Sequence, residues 1–132
     1  MTFIIADNFK DLLSREKRAF AFLALVKSDG SPQVTPIWFD YDGTYFIFNT
    51  ARGRVKDKIM HKHPRVAFVI LDPGDSYRYI QVSGRVALET EENAADQIAD
   101  LNEKYTGIRE FSLHPGEVRV TYKVQPERLQ LH

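Results

Sequence analysis

Between Arg52 and Arg65 stand six basic side chains, Arg52, Arg54, Lys56, Lys58, Lys62 and Arg65, against the single acid Asp57. A cluster of that sign and density suits an anion, and its placement suits a phosphate. The run follows the β-rich stretch Tyr45-Phe46-Ile47-Phe48-Asn49, passes through Thr50-Ala51-Arg52-Gly53, and enters a helical pattern over residues 56–63. The first N–H groups of a helix have no intrahelical acceptor and carry partial positive charge, so an anion is favoured there. The competing reading is a solvated charged face that pairs with the acidic run Glu89, Glu91, Glu92, Asp96, Asp100 and Glu103. A second chemical cue is aromatic. Trp38, Tyr41, Tyr77 and Tyr79 fall near strand ends and turns, where a ring with a polar tip either stacks on a planar ligand or fills a barrel.

Other chemistries are excluded by what the residues lack. Gly53-Arg54-Val55-Lys56 has no P-loop glycine spacing, and no dinucleotide fingerprint occurs. His61 and His63 are two apart on a helical pattern and so point to different faces, and no metal site is expected. Ser14-Arg15-Glu16-Lys17 matches Ser-x-x-Lys without the companion motifs of that hydrolase class, and reads as a helix end. The absence of cysteine removes thiolate metal sites, disulfides and cysteine nucleophiles, so redox chemistry would need a borrowed cofactor.

The elements that must position these residues follow from periodicity. Asp7 is placed to cap a short helix with Phe9, Leu12 and Leu13 on one face, and residues 19–26 form a strand. Asp29-Gly30 turns the chain into a second strand, Gln33 to Phe39, in which Pro36 demands a free edge or a bulge. Asp42-Gly43 then leads to the third strand of a meander, residues 45–49. Pro64 ends the basic helix, residues 66–71 form a buried strand, and a long strand over residues 77–88 is kinked at Gly84. Thr90 is placed to cap a helix with Ala94, Ile98, Leu101 and Tyr105 on one stripe, Gly107 stops it, and residues 117–124 form the last strand.

The 132 residues, 43% of them hydrophobic, suffice for one core, so the chain reads as a single domain over residues 1–132. The fold expected is mainly β, of the α+β kind: a six-stranded antiparallel barrel with two or three flanking helices. With 18 basic and 18 acidic residues the net charge is zero, which argues against nucleic acid and against anionic membranes as partners. The longest apolar run, Ala19 to Val26, is too short to span a bilayer, and no basic region precedes the apolar residues at the N-terminus. A cytoplasmic protein is expected.

The run from Asp29 to Gly43, with Thr35-Pro36-Ile37-Trp38-Phe39 at its centre, is followed by Phe48-Asn49-Thr50-Ala51-Arg52-Gly53-Arg54-Val55-Lys56 and His63-Pro64-Arg65-Val66. Together with Tyr77-Arg78-Tyr79, Val82-Ser83-Gly84-Arg85-Val86 and Pro126-Glu127-Arg128, it resembles the pyridoxamine 5′-phosphate oxidase-like split-barrel family, more narrowly its flavin/deazaflavin oxidoreductase branch. The resemblance implies a homodimer of split barrels with a flavin-type cofactor in each of two grooves between subunits. It carries the phosphate ligands onto Arg54 and Lys56, and the strand end beside the ribityl chain onto Asn49, Thr50 and Ala51. Gln33, Thr35, Pro36 and Trp38 match the strand flanking the ring system, and Tyr77 and Tyr79 match positions near the groove. Val55 stands where the vitamin-B6 oxidases have a further basic residue, and their arginine-bearing C-terminal segment has no counterpart before His132, which argues against pyridoxamine phosphate as substrate.

The implied function is an oxidoreductase that uses deazaflavin coenzyme F-420 or FMN to pass a hydride to a small planar or conjugated acceptor, with no protein nucleophile required. The alternative is a non-catalytic carrier or storage module for a flavin, deazaflavin or haem-like ligand. Of the two cofactors F-420 is favoured, because Arg52, Lys58 and Lys62 remain for the carboxylates of its oligoglutamyl tail.

Overall fold

A computed structural model describes residues 5–132. A 3₁₀ helix over Asp7–Leu13 precedes β1 (Phe20–Val26), β2 (Pro32–Ile37), β3 (Asp40–Tyr41), β4 (Phe46–Ala51), α1 (Val55–Lys62), β5 (Arg65–Asp72), β6 (Asp75–Thr90), α2 (Ala94–Thr106) and β7 (Arg119–Leu131). The strands form one sheet in the order β2-β1-β5-β6-β7-β4-β3, and every pairing is antiparallel. Among the described residues no helix is long and apolar enough to cross a membrane.

The sheet order decides the shape. β2 and β3 are its opposite edges, yet only Trp38 and Phe39 separate them in the chain. Six strand spacings would hold the edges about 29 Å apart in a flat sheet, whereas three peptide steps reach at most about 11 Å. The sheet must therefore curl until its edges nearly meet, closed by the chain rather than by a ladder. This corrects the meander expected from the sequence: the run from Gln33 to Phe39 stops being a strand at Ile37, the chain resumes as β3 at Asp40 on the opposite edge, and among the described residues β2 pairs with β1 alone. The free edge demanded by Pro36 is thus present, and the six expected strands become seven with the two-residue β3.

The concave side holds the core, including Leu23, Phe46, Phe48, Phe68, Ile80, Val82 and Tyr122. The long pair β6 and β7 is its spine, and Gly84 lets the two approach. A Cβ on Gly84 would lie 2.6 Å from the Gln125 carbonyl oxygen and 2.9 Å from Val124 Cγ1. The register shifts beside it, opposite Pro126, where a residue without an N–H costs no ladder bond. Two helix starts also differ from the sequence reading. Ala6 rather than Asp7 is the N-cap of the 3₁₀ helix. Thr90 accepts the Glu92 N–H at 3.0 Å, but α2 begins at Ala94 behind a left-handed Asn93 (φ 59°), so Glu91 and Glu92 precede the helix.

The start of α1 is fixed by a charge network. Gly53 turns with φ 91°, and Asp57 in the first helical turn reaches back to accept its N–H at 2.9 Å. Asp57 also receives Arg52 Nη1 at 2.9 Å and the hydroxyl of the buried Tyr122 at 2.7 Å. Arg52 further binds Glu89 at 2.6 Å and Glu91 at 2.9 Å, and His61 Nδ1 lies 2.7 Å from Glu89. Arg52, which the sequence left available for an anionic tail, is therefore held by three carboxylates. Burial pushes the Asp57 carboxyl up, but the Tyr122 hydroxyl, the Gly53 N–H and Arg52 outweigh it and hold the group below its ordinary value.

Gly84→Ala is expected to lower stability by about 1–3 kcal/mol through overpacking against a backbone carbonyl, read as a lower urea midpoint with an unchanged slope. Asp57→Asn is expected to lower stability at pH 7 by about 1–3 kcal/mol, since it removes a buried acceptor and unbalances Arg52. Because the native carboxyl is depressed, the wild type's advantage is complete above the unfolded value of 3.8 and lost as pH falls through the native one. Denaturation of both proteins at pH 7 and at pH 3 measures that convergence.

Candidate functional site

Where β2 ends, β4 ends and α1 begins, a cavity of about 360 Å³ opens. Phe20, Pro36, Ile37 and Trp38 form one wall, Ile98 and Leu101 of α2 with Phe111 form another, and Asn49, Arg54 and Arg119 supply its polar groups. Size and character fit a small-molecule site, which is mostly apolar with a few convergent polar groups.

Two of those polar groups are already engaged. The Asn49 amide donates to the Ala94 carbonyl at 2.9 Å and to Gln97 Oε1 at 2.7 Å, and its oxygen accepts Arg119 Nε at 2.9 Å. Asn49 thus docks the start of α2 onto β4 and β7. Arg119 binds Glu117 at 2.9 Å and its guanidinium carbon lies 5.5 Å from the centre of the Phe111 ring. That partner holds the Glu117 carboxyl below its usual range.

Arg54 and Lys56 differ from these. Their side chains have no hydrogen-bond or ion-pair partner among the described residues. Burial, then the Arg54 charge, lowers the Lys56 ammonium. Arg54 is the N-cap of α1 and makes no side-chain cap bond, so the first N–H groups of the helix are left for an incoming acceptor. Arg54 thus stands at the N-terminus of α1 and on the lining of an apolar cavity, with Lys56 close enough to feel its charge. Lys58 and Lys62 are exposed farther along α1, beside Arg52, Asp57 and His61.

Edge strand β2 adds a further feature. Gln33 and Thr35 pair in register with the buried Leu25 and Leu23, and Gln33 Oε1 and Thr35 Oγ1 are buried without a hydrogen-bond partner among the described residues. Leaving such an atom unsatisfied costs about 1–3 kcal/mol. Both lie on the strand that delivers Pro36, Ile37 and Trp38 to the cavity.

Of the residues singled out in the sequence, Pro36, Trp38, Asn49 and Arg54 therefore surround one cavity, with Lys56 near Arg54 and Gln33 and Thr35 on the adjoining edge. Thr50 and Ala51 are buried at the end of β4 and do not line it, and the Ala51 carbonyl accepts the Arg54 N–H at 3.2 Å. Tyr77 and Tyr79 are not brought to the cavity. They lie at the start of β6, Tyr77 88% exposed and Tyr79 stacked on His132 with ring centres 4.6 Å apart. The sequence reading missed Phe20, Ile98, Leu101, Phe111 and Arg119 as lining. Arg119 lies in the N-terminal part of β7, which is buried on both faces because α2 covers one of them.

The geometry can be set beside known proteins. The family model described as pyridoxamine 5′-phosphate oxidase matches residues 5–132. A solved F-420 reductase is 30% identical, with a TM-score of 0.82 over 96% of this chain and 98% of that one. A conserved hypothetical protein from Mycobacterium tuberculosis is 23% identical, with a TM-score of 0.74 over 98% of this chain and 86% of that one. The heme storage protein HutZ from Vibrio cholerae is 15% identical, with a TM-score of 0.68 over 98% and 95%. No curated protein gave a match. A family match across every described residue, on a curled antiparallel sheet closed by two residues of chain, makes this protein a member of the pyridoxamine 5′-phosphate oxidase-like split-barrel family.

Proposed function

We propose that the protein is an oxidoreductase that holds a flavin-type cofactor, deazaflavin coenzyme F-420 or FMN, along β2 and the start of α1, and reduces a small planar or conjugated acceptor. The observation that carries this reading is the pair Arg54 and Lys56, without ion-pair partners among the described residues, at a helix N-terminus with no side-chain cap, Arg54 opening onto a cavity walled by Trp38, Phe20 and Pro36. The 30% identity to an F-420 reductase over nearly the whole of both chains supports it.

The residues fit such a group at both of its ends. Arg54, Lys56 and the first N–H groups of α1 would hold its phosphate, and the buried, partnerless Gln33 Oε1 and Thr35 Oγ1 would find donors on the edge of a polar ring. When bound, the cofactor supplies the hydride, and the chain's task is to fix its ring and exclude water from one side. Lys58 and Lys62 remain for an anionic tail, so F-420 stays the favoured cofactor with fewer cations than the sequence suggested. The unrelated reading, a ligand carrier without turnover, uses the same cavity. Reduced cofactor mixed with a panel of conjugated acceptors separates the two: oxidation dependent on acceptor supports the enzyme, and tight binding without oxidation supports the carrier.

A homodimer belongs to the same proposal. The convex face of β2, β1 and β5 is apolar by register: Phe22 lies beside Pro36 and Val69, Ala24 beside Val34 and Ala67, Phe20 beside Leu71. On it Val34 is 63% exposed, Val26 58% and Phe20 42%, next to a free edge strand. Apolar surface of that extent beside an open edge is what a second copy would cover.

Arg54→Ala and Lys56→Ala are each expected to weaken FMN and F-420 about tenfold to a hundredfold with the circular dichroism unchanged, since each removes a charge-assisted phosphate contact. Lys58→Ala should affect F-420 by less than threefold, roughly, because an exposed contact is screened. Fluorescence titration measures all three, and affinities equal to wild type for Arg54→Ala and Lys56→Ala would refute the phosphate assignment. Phe22→Glu is expected to convert a sedimenting dimer into a monomer; a wild type that sediments as a monomer at micromolar concentration rejects the shared groove.

A further inference from the structure

The crossover that closes the sheet is held by one turn of α2. Lys104 is buried, and its Nζ donates to the Phe39 carbonyl at 2.6 Å while lying 4.1 Å from the centre of the Phe39 ring. The Tyr105 hydroxyl donates to the Ala19 carbonyl at 2.6 Å and accepts the Phe39 N–H at 3.3 Å. The Tyr105 ring then lies between two rings of the cavity wall. Its centre is 5.2 Å from that of Trp38, with the planes 9° apart, and 5.2 Å from that of Phe20, with the planes 27° apart. Trp38 and Phe20 line the cavity, whereas Tyr105 and Lys104 do not.

We infer that Tyr105, assisted by Lys104, is a positioning residue for the cavity: it clamps Trp38 as a fixed aromatic wall and so sets the affinity for a planar ligand that it does not touch. The physical need is clear from the topology. Trp38 and Phe39 run between opposite edges of the sheet, where among the described residues no strand ladder supplies partners for their backbone. The Tyr105 hydroxyl and the Lys104 ammonium take the Phe39 N–H and carbonyl, and the Tyr105 ring supports the indole along one side. Without them the ligand would have to order Trp38 itself, and that entropic cost would come out of its affinity. The inference deepens the flavin-type reading of the cavity and rests on it for the ligand, but the clamp itself can be read without any ligand.

Trp38 is the sole tryptophan of the chain, so intrinsic emission reports on it alone. In Tyr105→Leu, Trp38 emission should shift to the red, iodide quenching should rise about twofold, and FMN affinity should fall about tenfold, the range of a lost aromatic pair. Tyr105→Phe keeps the ring and should restore the emission and most of the affinity. Should Tyr105→Leu fail to fold, Lys104→Met frees the Phe39 carbonyl with the stack intact, and should give a smaller red shift and an affinity loss of about threefold. A folded Tyr105→Leu, or failing that Lys104→Met, with wild-type emission and quenching overturns the clamp. Altered emission with wild-type FMN affinity overturns its role in binding. If the wild type binds neither FMN nor F-420, the flavin-type reading fails, while emission and quenching still decide the clamp.

Discussion

The closure of the sheet by Trp38 and Phe39 is the constraint on which the remaining structure depends. A ladder of hydrogen bonds between β2 and β3 would have sealed the barrel and filled its mouth with backbone. A two-residue bridge instead leaves β2 with one free edge, so the seam between the sheet's two ends stays open. The cavity sits at the end of that seam, walled on one side by the bridge and on the other by α2.

The individual elements were legible in the sequence wherever one periodicity ran undisturbed. Asp29-Gly30 and Asp42-Gly43 marked their turns, Pro64 ended α1, and Gly84 marked an irregularity in β6, where the register shifts, because each acts through local backbone chemistry. The seam was not legible. Val34, Pro36 and Trp38 alternate with Gln33, Thr35 and Ile37 as a continuous strand would, and nothing in that pattern says that hydrogen-bonding partners change at Ile37. The start of α2 was misread for a related reason: Thr90 has a capping side chain, but Asn93 can adopt the left-handed conformation and delays the helix to Ala94. In the cavity the cue for Arg54 was charge and location, both readable. Phe111 and Arg119 lie on a loop and on a covered strand face, and only tertiary packing brings them there.

Charge is sorted by geometry rather than by number. The chain has no net charge, and its basic run and acidic run were expected either to neutralise each other or to leave an anion site. Arg52 is neutralised, and two residues on Arg54 has no ion-pair partner among the described residues. Arg52 precedes the positive-φ turn at Gly53 and points toward Asp57, Glu89 and Glu91; Arg54 follows the turn, caps α1 through its backbone and opens onto the cavity. Neutralising Arg52 serves the site as well, because it anchors Asp57 and thereby fixes the direction in which α1 offers its first N–H groups.

The same logic accounts for an interior lysine with no carboxylate partner among the described residues. Burial pushes the Lys104 ammonium down to about 8, although the Asp40 and Asp100 carboxylates oppose that shift. A buried cation without a direct ion-pair partner is a cost that a strand would not need. A crossover does need it, since its carbonyls face inward with no ladder to receive them, and three ammonium protons on a long stem can reach where a neighbouring strand cannot. The Phe39 carbonyl accepts one of those protons and the Phe39 ring faces the charge. The ionic cost of Lys104 is thus the counterpart of the open seam: the fold gives up a ladder to keep a ligand-sized gap, and the last turn of α2 replaces the missing partners at the one place where the chain crosses it.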